Sequence, residues 1–192
     1  MPTSLTSFAF LMLLLQGGPC LSQDIYFAKY LSGFKRISIP HTITQKEIEK
    51  TAKRNDNYID DLAISTFISA KPADTGNDAR QHYVHHYYAC LADNDSIKAV
   101  MYLKIAPVQG EYYLAEIALY NATTKKLLDR MTISEYSISA EKQEEFDNET
   151  IVNFSGAEIK KDLTILTSTG HFQMTSQGFK ILAGRKEAST DW

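Results

Sequence analysis

Two neighbouring stretches of alternating sequence decide the fold: SIKAVMYLKI at residues 96–105 and YYLAEIALY at residues 112–120. Successive side chains of a β-strand point to opposite faces, so an apolar residue at every second position predicts a strand with one buried face. In these two stretches that face carries Ala99, Met101, Leu103, Ile105, Tyr113, Ala115, Ile117 and Leu119. A short segment with Pro107 and Gly110 separates them, which predicts an antiparallel hairpin.

The same period of two continues on both sides of this hairpin. It predicts further strands over residues 81–91, 127–138, 150–154, 159–167 and 172–180, with polar turns between them. The sequence therefore indicates a mainly β protein, an antiparallel meander sheet arranged as a sandwich or a partly open barrel, with one or two N-terminal helices. We expect a single domain over residues 23–182, followed by a polar tail at residues 183–192.

The predicted helices lie before the strands. Thr44 and Glu47 have the spacing of a capping box, and Ile43 and Ile48 stand at the hydrophobic-staple positions, so we expect a helix over residues 45–54. Residues 58–68 also fit helical spacing, with Asp56 or Asn57 as the cap, although their β-branched side chains would suit a strand as well. Residues 24–40 are expected to be an extended lead-in that ends at Pro40.

The N-terminus has the features of a signal peptide. The first 23 residues carry no charged side chain, residues 8–15 are apolar, and small residues stand at Cys20 and Ser22. We therefore expect a signal peptide at residues 1–22, cleavage after Ser22, and a secreted or periplasmic protein. The alternative is lipidation of Cys20, which would give a lipid-anchored outer-membrane protein. The apolar run is shorter than the ~20 residues that a transmembrane helix needs.

Charge and cysteine content exclude or weaken several function classes. The formal net charge of −3, with no basic run, argues against a protein that binds nucleic acid. If Cys20 leaves with the signal peptide, Cys90 has no disulfide partner within the chain, and we expect it to be a small buried side chain. No Gly-x-Ser-x-Gly element or other recognised nucleophile motif occurs.

A histidine-rich stretch is the main candidate for a metal site. His82, His85 and His86 lie within five residues, and His82 and His86 would share one face of a strand, with His41 or His171 as a further ligand. A metal-dependent hydrolase is therefore one hypothesis. A half-exposed strand of mixed Tyr and His explains the same stretch without a metal, and no recognised ligand spacing is present. We expect no cofactor.

The tyrosines supply the leading hypothesis about function. The chain has eleven of them, and tyrosine gives amphipathic contact area at low entropic cost. We expect a non-enzymatic secreted or cell-envelope protein that binds an envelope or extracellular protein, or a glycan, through an aromatic sheet face or an exposed edge strand. The residues predicted to form the aromatic face are Tyr83, Tyr87, Tyr102, Tyr112 and Tyr113. A third hypothesis is a structural accessory subunit of an envelope complex.

The order of these features resembles a loose group of uncharacterised small secreted proteins and lipoproteins of Bacteroidetes-type bacteria. The resemblance rests on the lead-in FKRISIP at residues 34–40, on YYLAEI at 112–117, on KLLD at 126–129 and on QGF at 177–179. It spans most of the chain after the signal peptide. It implies an extracytoplasmic β-rich protein and brings no activity or catalytic residue.

Overall fold

A computed structural model describes residues 18–54, 56–69, 83–106, 111–142 and 148–184. Within these residues the helices precede the long strands. They are α1 (Gly18–Ser32), α2 (Gln45–Ala52) and α3 (Asp61–Ala63), and α3 continues into a π-helical turn at Ile64–Ile68. No helix of the described residues is long and apolar enough to cross a membrane.

The strands form two sheets that are antiparallel except where β1 pairs with β3. In chain order the strands are β1 (Lys35–Arg36), β2 (His41–Ile43), β3 (Val84–Asp93), β4 (Ile97–Ala106), β5 (Glu111–Asn121), β6 (Leu127–Lys142), β7 (Asn148–Ser155), β8 (Ala157–Ile159), β9 (Thr164–Thr167), β10 (Gly170–Thr175) and β11 (Gly178–Gly184). The six-stranded sheet has the order β1-β3-β4-β5-β6-β7, and the five-stranded sheet has the order β11-β10-β9-β8-β2. Neither sheet closes into a barrel. The predicted mainly β fold, an antiparallel meander with N-terminal helices, is confirmed.

The inner core lies between the two sheets. The inner face of the six-stranded sheet contributes the residues that alternate in the sequence, and α2 adds Ile48, which is completely buried. The five-stranded sheet contributes Ile159 and Ile165. The chain passes from one sheet to the other at Gly156, where a side chain would lie 3.3 Å from the Ile43 carbonyl oxygen. This close approach explains the glycine at the crossing.

Helix α1 covers the outer face of the six-stranded sheet and corrects the sequence-based expectation for this region. Residues 24–40 were expected to be extended, but α1 continues to Ser32. Phe27, Tyr30 and Phe34 are buried, and with Leu31 they follow helical spacing. The Tyr30 hydroxyl lies 3.0 Å from the Tyr120 hydroxyl of β5. The burial of these rings holds the segment in a helix.

The caps of the short helices are defined by side chains. Thr44 accepts a hydrogen bond from the Glu47 amide and Glu47 accepts one from the Thr44 amide, so the predicted capping box of α2 is confirmed. The helical interpretation of residues 58–68 is correct in part, because α3 and the π-helical turn fill only residues 61–68. Their cap is Asp60, which accepts from the Ala63 amide, in place of the predicted Asp56 or Asn57.

Two of the predicted strands are each divided by a turn. The segment 159–167 contains the last residue of β8 and all of β9, with a turn between them that ends at Leu163, whose φ of 65° is left-handed. The segment 172–180 forms parts of β10 and β11, separated before Gly178, whose φ is 123°. Asp129 of β6 accepts a hydrogen bond from the Phe179 amide at 3.1 Å and ties this second turn to the six-stranded sheet. The last strand ends at Gly184, two residues beyond the predicted domain boundary.

Gly33 gives a direct test of how α1 is seated. A β-carbon at this position would lie 2.5 Å from the Tyr87 ring, which is itself packed against Phe34 at 4.8 Å between ring centroids. We expect Gly33→Ala to lower the free energy of unfolding by about 1–3 kcal/mol, because the ring must move within a packed cluster. Urea denaturation measures the change.

The matched control is Gly184→Ala, since nothing lies within 4 Å of a β-carbon there. We expect the control to change the free energy of unfolding by less than about 0.5 kcal/mol. Equal effects of the two substitutions would contradict the close packing of Tyr87 on Gly33.

Candidate functional site

A polar cluster lies on the outer face of the six-stranded sheet. Strand pairing builds it: β4 and β5 place Tyr102 opposite Glu116, and β5 and β6 place Glu116 opposite Thr132. Lys104 follows Tyr102 by two residues and therefore points to the same face. We call Tyr102, Lys104, Glu116 and Thr132, with the flanking Tyr83 and Tyr112, the Glu116 cluster.

Glu116 is the centre of this cluster. Its side chain is 8 % exposed, and Lys104 donates to Oε1 at 3.1 Å. The Tyr102 hydroxyl, which is completely buried, donates to Oε2 at 2.5 Å, and the Thr132 hydroxyl lies 3.4 Å from Oε1. A buried carboxylate is tolerated only when charge and hydrogen bonds compensate for lost hydration. The three partners therefore fix the Glu116 side chain in one position.

Two half-buried tyrosines lie at the end of the cluster beyond Lys104, where Tyr112 pairs with Ala106. The Lys104 ammonium group lies 4.5 Å from the centroid of the Tyr83 ring, a cation–π arrangement. Tyr112 is hydrogen-bonded to Glu135, and burial, together with the Glu135 charge, raises the pKa of Tyr112 to about 12. Both tyrosines thus offer part of a ring at the surface of the sheet.

His85 lies beside the same cluster. Its ring centroid is 5.7 Å from that of Tyr102, and it pairs across the sheet with Lys104. Burial lowers the pKa of His85 to about 4, and the positive charge of Lys104 acts in the same direction. The imidazole is therefore uncharged at neutral pH and adds no net charge to the face.

The structure places the five tyrosines of the predicted aromatic face in different environments. Tyr83 and Tyr112 lie half-buried in the cluster, but Tyr102 is fully buried beneath it. Tyr87 is on the same face and packs against Phe34 under α1. Tyr113 is 8 % exposed and lies on the opposite face, stacked on Tyr136 at 5.5 Å. Tyr102 and Tyr113 are thus corrected to core residues, because their rings fill the two layers on either side of the sheet.

The structure describes only part of the predicted histidine cluster. His82 lies outside the described residues. His85 pairs with Lys104 and His86 with Leu103, so the two side chains point to opposite faces of the sheet. The His86 ring lies 4.5 Å from that of Tyr58 instead. Among the residues that the structure describes, no group of three or more His, Cys, Asp or Glu side chains has a metal-binding arrangement.

Sequence analysis missed Glu116 and Lys104 as members of the site. A signal was present, because Glu116 is the only charged residue in the stretch YYLAEIALY. The hairpin register alone would have placed it opposite Tyr102. What the sequence does not show is that α1 covers only part of this face, which decides whether a polar residue there is buried beneath a helix or faces water.

The low pKa of His85 gives the cluster a pH-dependent stability. The group has an ordinary pKa of 6.5 in the unfolded chain and about 4 in the folded one. Between these pH values the unfolded state binds more protons than the folded state. The contribution of His85 to the free energy of unfolding is therefore fully present above pH 6.5 and is lost as the pH falls towards 4. We expect His85→Phe to recover about 1–2 kcal/mol of the unfolding free energy lost at about pH 4.5.

Urea denaturation of both proteins at a series of pH values measures this difference. The control is His171→Phe, on an exposed position of β10, which should leave the pH profile unchanged. Parallel profiles for the original protein and the His85→Phe variant would show that His85 is not the group that is protonated on unfolding.

A scan against protein-family models, a search of curated proteins and a search of solved structures each found no match to this chain. The functional conclusion therefore rests on the site itself.

Proposed function

We propose that this chain is a non-enzymatic secreted or cell-envelope protein that binds an extended glycan on the outer face of its six-stranded sheet. The observation that carries the proposal is the Glu116 cluster, in which a fixed carboxylate and a fixed ammonium group lie on one sheet face beside half-buried tyrosine rings, with Lys104 against the ring of Tyr83. A resemblance to small secreted bacterial proteins is consistent with this role.

The chemistry of the cluster favours a glycan. Sugar hydroxyls both donate and accept hydrogen bonds, so they can satisfy the Glu116 carboxylate and the Lys104 ammonium group together. The C–H faces of a pyranose ring can pack on partly exposed tyrosine rings. The cluster lies on a sheet face, and a flat surface suits an extended polymer better than a small molecule, which needs a concave pocket. A protein partner would require a desolvated apolar core at the contact.

Secretion is consistent with the packing of α1 from Gln23 onwards. Gln23, Asp24 and Ile25 are exposed, and the first buried residue after them is Phe27. A chain cleaved after Ser22 would therefore keep Phe27 and Tyr30, which pack against the six-stranded sheet. Lipidation of Cys20 remains the alternative route and would attach the same domain to a membrane.

Affinity gel electrophoresis against a panel of soluble bacterial and plant polysaccharides tests the binding proposal. We expect at least one polysaccharide to retard the protein, and Tyr83→Ala or Tyr112→Ala to weaken that retardation about tenfold because each removes a ring from the contact. The matched control is Tyr58→Ala: Tyr58 is 52 % exposed but contacts His86, on the other face of β3.

Equal loss in Tyr83→Ala, Tyr112→Ala and Tyr58→Ala would contradict binding at the Glu116 cluster. Absence of retardation by every polysaccharide would contradict a glycan as the partner. Each variant is first compared with the original protein by circular dichroism, so that a folding defect is recognised.

A truncated chain tests the proposed signal peptide. We expect a protein that begins at Gln23 to melt within about 2 °C of the full chain, because it keeps Phe27 and Tyr30, the side chains that pack α1 against the sheet. A protein that begins at Leu31 lacks Phe27 and Tyr30 and should melt at least ~8 °C lower. Thermal unfolding followed by circular dichroism measures both.

Comparable destabilisation of the two truncated chains would show that residues 1–22 belong to the fold and would overturn cleavage after Ser22. The mass of the mature N-terminus from exported protein distinguishes a free Gln23 from a lipidated Cys20.

A further inference from the structure

A second site lies at the opposite end of the outer sheet face, between α1 and the ends of β1, β3 and β4. It is a cavity of about 350 Å³. Leu31 and Phe34 border it on the helical side, and Cys90 borders it on the sheet. Its charged lining residues are Arg36, Asp93 and Lys98. A volume in this range, mainly apolar with a few convergent polar groups, is typical of small-molecule sites.

The charged groups at this cavity are not balanced. One oxygen of the Asp93 carboxylate accepts from Arg36, and the other accepts from Lys98. These hydrogen bonds lower the pKa of Asp93, so its carboxylate is ionised at neutral pH. Two cations thus share one anion and leave one excess positive charge. Lysine has three N–H donors and arginine five, so both retain donors after pairing with Asp93.

The thiol of Cys90 is part of the same environment. Burial raises its pKa, and the charges of Asp93, Arg36 and Lys98 all act on it. The thiol is half-buried and lies against both this cavity and a smaller one of about 130 Å³ lined by Arg36 and Asp93. Cys90 therefore reports on whether the cavity is occupied, whatever its own role.

We propose that this cavity binds a single-chain aliphatic carboxylate, with the carboxylate between Arg36 and Lys98 and the chain against Leu31, Phe34 and Cys90. The ligand carboxylate would then pair with the same two cations as Asp93, so that two negative groups face two positive ones. The apolar side chains contribute the hydrophobic part of the binding energy, which grows with the area removed from water. The volume accommodates one short chain and excludes a two-chain phospholipid. The proposal is independent of glycan binding at the Glu116 cluster.

Protection of Cys90 from alkylation tests this site in the full chain. Octanoate, octylamine and octanol are compared as probes at about pH 8.5, where a thiol with a raised pKa still reacts slowly with N-ethylmaleimide. Mass spectrometry of the peptide that contains Cys90 separates it from Cys20. We expect octanoate to slow alkylation in a saturable manner, octanol to act more weakly, and octylamine to give no protection.

Two substitutions locate the effect. Lys98→Met keeps the length of the side chain and leaves Arg36 to pair with Asp93, and it should weaken octanoate protection about tenfold. Ala28→Trp, on an exposed position of α1 that borders the cavity, should abolish protection by filling the space. Lys126→Met, on the exposed turn between β5 and β6, is the matched control and should leave octanoate protection unchanged.

Equal protection by all three probes would show that the apolar chain alone accounts for binding and would overturn the role of the cations. No protection by octanoate, or protection only by vesicles of phosphatidylglycerol, would overturn a single-chain carboxylate as the ligand. Loss of octanoate protection in Lys126→Met would place the effect outside the cavity.

Discussion

The six-stranded sheet depends on one constraint: its central strands are apolar on both faces, so both faces must be covered. On the inner side, Met101 and Ile117 are buried against the five-stranded sheet and α2. On the outer side, Val100 and Tyr120 are buried equally completely, and α1 supplies the cover through Phe27 and Tyr30. A two-layer sandwich would leave these outward side chains in water. The third layer, formed by α1 with α3 and its π-helical turn, is therefore a requirement of the sequence of β4 and β5.

The length of that cover determines where polar groups occur on the outer face. Along β4 the outward residues are Lys98, Val100, Tyr102 and Lys104. Val100 and Tyr102 are completely buried, whereas each lysine is about one-fifth exposed and pairs with an acid on a neighbouring strand. Lys98 pairs with Asp93 of β3, and Lys104 pairs with Glu116 of β5. Both candidate sites thus mark the limits of the apolar area on this face.

Sequence alone predicted the strands well because alternation is a local property. The hairpin of β4 and β5 and the capping box of α2 each depend on a few neighbouring residues, and both were predicted. The same alternation predicted wrongly that the outer face is exposed to water, because two lysines lie on that side of β4. Phe27, Tyr30, Leu31 and Phe34 carried the missing signal at helical spacing, but their helix is stabilised by rings distant in sequence, such as Tyr120 and Tyr87. Placing His85 and His86 on opposite faces likewise required the register with β4.

The two ionic groups at the limits of the apolar area differ in net charge. This difference means that they favour different classes of ligand. At Glu116 one carboxylate faces one ammonium group, with a phenol and a hydroxyl as further donors, so the pair is neutral and its partners are fixed. Such a site favours an uncharged ligand rich in hydroxyl groups, because a charged one would have to displace an internal partner. At Asp93 two cations share one carboxylate beside an apolar cavity, so the excess positive charge favours an anion that brings its own apolar surface. The helical layer covers Val100 and Tyr102 but stops short of Lys98 and Lys104. It therefore leaves a neutral face at one end of the sheet and a cationic cavity at the other.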